Sequence, residues 1–97
     1  MKLFDHLFAR PQDRLERARS AGEARGALEA KLFRVSRSGK GPDYFQALEW
    51  LQAVVDEGRS ELQPQHAFDR ELEAWEMSCR IAFMIRLAEW HATPTRR

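Results

Sequence analysis

Residues 67–92, AFDRELEAWEMSCRIAFMIRLAEWHA, constrain this chain more than any other stretch. They contain neither Pro nor Gly, and good helix formers fill most positions. At about 100° per residue, Phe68, Leu72, Trp75, Cys79, Phe83 and Trp90 fall on one stripe. Met77, Ile81, Met84, Ile85 and Ala88 form a second apolar strip on roughly the opposite side. A surface helix carries one apolar face; a helix apolar on two sides is central to its domain or joins a partner. Arg86 interrupts the first stripe, where Arg is rarely buried without a partner. It reads either as an inward ion pair, with Glu89 the nearest carboxylate, or as a fork that grips a partner's carboxylate or phosphate.

The rest of the chain divides at clear signals. Residues 1–9 set Leu3, Phe4, Leu7 and Phe8 on one side of a short helix that needs tertiary contact to persist. Pro11 suits the first turn of the next segment, which spans 11–37 as one helix or two. Ser20-Ala21-Gly22-Glu23 matches the capping box S-x-x-E, so a helix restart or a weak joint at Gly22 is the expectation there. Ala24, Leu28, Leu32 and Val35 are the expected buried stripe, with Phe33 to one side and Ala24 and Ala27 permitting close helix approach.

The run 36–42, SRSGKGP, breaks the helix, and Asp43 with Gln46 signals a new start. From 43 to 57, Tyr44, Leu48, Leu51 and Val55 share a stripe flanked by Phe45, Ala47 and Val54, and Gly58 suits a helix terminus. A loop over 59–64, the long helix over 65–92 and a frayed polar tail over 93–97 complete the chain. No strand-like alternation and no repeat interrupts this pattern. The sequence predicts a single all-α domain, a small bundle of four to five helices built around the long C-terminal helix.

Composition narrows the function classes. With 97 residues, 43% hydrophobic and 32% charged, the chain has the make-up of one globular domain with a modest core. The most apolar run, 77–88, is interrupted by Ser78, Arg80 and Arg86, so no membrane span is expected. Residues 1–11 lack the apolar region of a secretory signal, and a lone Cys excludes an intramolecular disulfide; both fit a cytoplasmic protein. Thirteen Arg against three Lys, with frequent Ala, suits a GC-rich bacterial, phage or mobile-element coding sequence.

A net charge of +1 conceals strong segregation: residues 10–40 carry +5, residues 41–76 carry −7 and residues 77–97 carry +3. Such poles either pair across a bundle or steer a partner.

Catalytic groupings are thin. His6, His66 and His91 lack metal-ligand spacing, Cys79 sits on the apolar stripe, and Gly39-Lys40-Gly41 is no phosphate-binding loop. No catalytic residue, metal site or cofactor is assigned. The expectation is a small non-catalytic interaction protein (a regulator, inhibitor or adaptor) that meets another protein, including a second copy of itself as a homodimer. Its contact residues would be Met77, Ile81, Met84, Ile85 and Arg86, with Trp50 as an interface aromatic. The alternative is a nucleic-acid-binding regulator using Arg25, Lys31, Arg34, Arg37 and Lys40. An acidic helix from Asp43 stands against a helix-turn-helix, since it would meet phosphate repulsion.

Overall fold

The computed structural model describes residues 11–41, 43–64 and 69–92, which form three helices. They are α1 (Pro11–Ser36), α2 (Tyr44–Leu62) and α3 (Asp69–Ala92). The all-helical expectation holds among the described residues, but with three helices rather than four or five. Part of that difference is the expected helix over 1–9, which lies outside the described residues, as do Phe68 and the 93–97 tail. Over 11–37, which the sequence reads as one helix or two, the structure has one: the capping-box signal at Ser20 is not used, and α1 runs through Gly22 without a break.

The helix ends follow local chemistry. Asp43 is extended, at φ −112° and ψ 110°, and its carboxylate accepts the Gln46 amide at 3.1 Å as an N-cap. Ser36 Oγ donates to the Phe33 carbonyl at 2.6 Å where α1 stops. Gly39 follows at φ +87°, a conformation open to Gly at no steric cost. At the other end of α2 the expected terminus at Gly58 is wrong, and so is the expected loop over 59–64. The helix continues to Leu62, and the Gln63 amide donates to the Arg59 carbonyl at 2.9 Å.

Contacts fix the topology. Arg25 meets Glu57, Glu29 meets Trp50, and Arg37 meets Gln46, so α2 runs antiparallel to α1. Arg14 lies beside Glu71, Gly22 beside Trp75 and Gly26 beside Cys79, so α3 runs parallel to α1. The two long helices form the most extensive pairing, and α2 covers one side of the pair.

What makes that pairing close is the absence of side chains. Ala18, Gly22, Gly26 and Ala30 recur every four residues, and all four are buried. A Cβ built on Gly22 would lie 2.2 Å from the Trp75 carbonyl oxygen; one built on Gly26 would lie 2.2 Å from that of Cys79. One helical backbone therefore lies directly against the other, as small residues at this spacing permit.

From this contact outward, Leu72, Trp75, Cys79, Phe83 and Leu87 of α3 supply the core, with Phe33 of α1 and Ala47, Leu51, Val54 and Val55 of α2. The Trp75 indole fills the space left by Gly58 of α2, where a Cβ would come within 2.0 Å of the ring. Phe33 packs on Phe83 and edge-on to Trp50 and Trp90, with centroids 5.4–6.1 Å apart. Burying each large apolar side chain contributes about 1.5–3 kcal/mol.

The α3 stripe is buried as expected over Leu72–Phe83, but the α1 stripe is not. Leu28, Leu32 and Val35 are 51%, 44% and 67% exposed, while Phe33, expected to one side, is buried. Tyr44 and Leu48 of α2 are likewise exposed, and Ala47, Leu51, Val54 and Val55 make its contact. On α1 the small residues lie inside, because its backbone sits too close to that of α3 for a row of Leu; on α2, Leu51 and Val55 of the expected stripe are buried.

Replacing Gly26 with Ala tests this packing. At an exposed helix position the change would stabilise by about 1 kcal/mol. Here the new methyl meets backbone atoms that cannot rotate away. Gly26→Ala should lower unfolding free energy by about 1–3 kcal/mol in urea titrations, and a more stable variant would contradict the contact.

Candidate functional site

The outer face of α3 is the first candidate. Met77, Ile81, Met84 and Ile85 are 64%, 52%, 37% and 52% exposed, and Ala88 is exposed beside them. With half-buried Ala74 they recur at spacings of three and four residues, the register of a helix that packs along a partner helix. Nothing among the described residues covers this strip. Its exposure follows directly from the parallel pairing, since α1 and α2 occupy the opposite half of the α3 surface.

Arg86 is not inward, which corrects the reading of it as an inward ion pair on the buried stripe. Its side chain is exposed, and Nη1 donates to Glu89 Oε1 at 3.4 Å, the carboxylate expected from the sequence. The core row of α3 steps by four residues through Trp75, Cys79, Phe83 and Leu87, and so drifts around the helix away from Arg86. Trp50, at the edge of its helix stripe, reads from the sequence as an interface aromatic or as a boundary Trp covering core, and the structure places it in the second position. It is half-buried, packs on the core, and donates from Nε1 to Glu29 Oε1 at 2.9 Å.

The five candidate nucleic-acid residues do not share a surface. Arg25 faces α2, bonding Glu29 at 2.9 Å and Glu57 at 2.8 Å. Burial would lower its pKa, but the hydrogen bonds and charges of Glu57 and Glu29 outweigh this and raise it. Arg37 is held in the loop by the Gly41 carbonyl at 3.1 Å and by Gln46. Lys40 lies exposed in that loop. Lys31 and Arg34 point elsewhere, into a groove between α1 and α3 that sequence reasoning did not anticipate. Two adjoining cavities of about 500 and 390 Å³ make up this groove, and Ala27, Arg86 and Glu89 line both.

Charge segregation serves the bundle in part. Glu76 of α3 accepts from Arg59 of α2 at 2.9 Å and from Arg80 at 2.8 Å, and Arg80 in turn reaches Gln52 at 2.8 Å. Burial pushes the Glu76 carboxyl up, but the hydrogen bonds and charges of Arg80 and Arg59 outweigh it and hold the pKa low. Cys79 is fully buried, and burial raises its thiol pKa, the condition of an unreactive core sulfur. Among the described residues no cluster of three or more His, Cys, Asp or Glu is arranged to hold a metal ion. None of the described helices is long and apolar enough to cross a membrane.

No family model matches the chain, and no curated protein or solved structure matches it either. Its function is therefore read from these surfaces alone.

The Glu76 network predicts a pH dependence. A depressed folded-state pKa contributes stability that is present above the unfolded value and lost as pH falls through the folded one. Glu76→Gln should cost roughly 1 kcal/mol at neutral pH and flatten the loss of stability below the ordinary carboxylate range, as read by thermal melts across pH. An unchanged acid limb would remove this network from the account.

Proposed function

We propose that the protein is a small non-catalytic protein–protein interaction module, a cytoplasmic regulator, inhibitor or adaptor that also pairs with itself. The observation that carries this reading is the uncovered strip of Met77, Ile81, Met84 and Ile85 along a helix whose other half is core. Contiguous exposed apolar surface marks interaction sites in soluble proteins. Met adds adaptability, because its unbranched thioether repacks against varied partners. A two-fold pairing of α3 with α3 of a second copy would set equivalent strips against each other, as an isologous interface requires. For antiparallel helices centred on Ile81, Met77 would face Ile85 of the other copy, and Ala74 would face Ala88.

Scattered cations support the nucleic-acid alternative less well. A phosphate track needs several cations on one face, and here Arg25 and Arg37 are already engaged on the α2 side.

Light scattering at tens of micromolar should give twice the chain mass for the wild type. Ile81→Asp should give the chain mass with helicity retained, because Ile81 lies outside the core. A wild-type chain that is monomeric at that concentration would end the self-pairing part of this proposal.

A further inference from the structure

The groove between α1 and α3 carries an inference beyond self-pairing, on a surface that shares only Ile85 with the α3 strip. We infer that this groove is a docking site for an acidic amphipathic helix of a partner protein, with Lys31, Arg34 and Arg86 receiving the partner's carboxylates.

The groove lies on the side of the α1–α3 pair away from α2, and its ends differ in chemistry. Toward Ser20 it carries Glu23; through the middle its walls are Ala24, Ala27, Ala82 and Ile85. Toward the α1 C-terminus Lys31, Arg34 and Arg86 converge around Leu28, Leu87 and Trp90. Over Ser20–Arg34 the length is about 20 Å at 1.5 Å per residue, the span of about 14 helical residues. Small walls let a third helix approach closely, as α1 and α3 approach each other.

The cations are poised for an external anion. Lys31 and Arg34 form no ion pair among the described residues. Arg34 lies 5.4 Å from the Trp90 ring centroid, a stacked position that holds the guanidinium while leaving its donors for a carboxylate. Arg86 reaches Glu89 only at 3.4 Å.

Three features favour a peptide over nucleic acid. The walls are apolar, the charge is confined to one end rather than laid along the groove, and the opposite end carries Glu23, which a uniformly anionic strand would meet unfavourably. A second copy's acidic α2 fits less well. The outer face of α2 points away from this groove, so such contacts would run head to tail without closing.

The test uses the full chain and a fluorescein-labelled designed helical peptide of about 15 residues. Apolar residues at i, i+3, i+4 and i+7 form one face, with Lys in the turn set toward Glu23 and Glu in the turn set toward Lys31. Saturable binding by anisotropy should weaken about tenfold when the peptide Glu residues become Gln, and by a similar factor in Lys31→Glu or Arg86→Glu. A peptide with Lys in place of Glu should recover binding to Lys31→Glu/Arg86→Glu, which a merely structural effect would not produce. Absence of saturable binding would overturn the proposal. So would equal binding of the Glu and Gln peptides, or tighter binding of single-stranded oligothymidylate with the same residue dependence.

Discussion

The contact of Gly22 and Gly26 with the Trp75 and Cys79 carbonyls sets the rest of the structure. Two parallel helices can lie this close only where one of them has no Cβ. Once they do, every other position on α1 is assigned. Phe33, at the far end of the same face, reaches the core of α3 and α2. Arg25 and Glu29 fall on the α2 side and close the bundle there through Glu57 and the Trp50 indole. Leu28, Leu32 and Val35 are left outside. Bringing the backbones together gains dispersion contacts along the shared seam. It also uses up the narrow face of α1, so the wide apolar face becomes surface.

That trade explains why α3 was legible in the sequence and α1 was not. On α3 the buried residues are the large ones, so aromatic and Leu spacing located the core row through Leu72, Trp75, Cys79 and Phe83. On α1 two rows run side by side at helical spacing, one of Ala and Gly and one of Leu and Val. Hydrophobicity favours the second, and the glycines read as breakers. The usable signal was the repeat of four small residues at intervals of four, Ala18, Gly22, Gly26 and Ala30. The same bias misassigned Gly58, which accommodates the Trp75 ring rather than ending α2.

The candidate surfaces show a similar division. Exposure of the Met77–Ile85 strip could be anticipated, because a helix this apolar on two sides cannot bury both in a small bundle. Arg86 and Trp50 could not be placed from periodicity. Trp50 lies at the edge of its stripe, and Arg86 lies within its own, but the buried row of α3 steps by four residues against a 3.6-residue turn and drifts away from Arg86. The groove was invisible for another reason: Lys31, Arg34 and Arg86 come from two helices and meet only because those helices run parallel. Segregated charge is therefore divided between ion pairing to α2 on one side and the Lys31, Arg34 and Arg86 cluster on the other.

Whether α1 meets α3 through its small residues is the point on which these surfaces depend. Nuclear Overhauser contacts in isotope-labelled protein test it most directly. The account predicts strong contacts from the Gly26 Hα protons to the Ala82 methyl and from the Gly22 Hα protons to the Ser78 Hβ protons, with none from the Leu32 methyls to the Trp75 or Phe83 rings. Ring contacts from Leu28 and Leu32, with the glycine contacts missing, would contradict it.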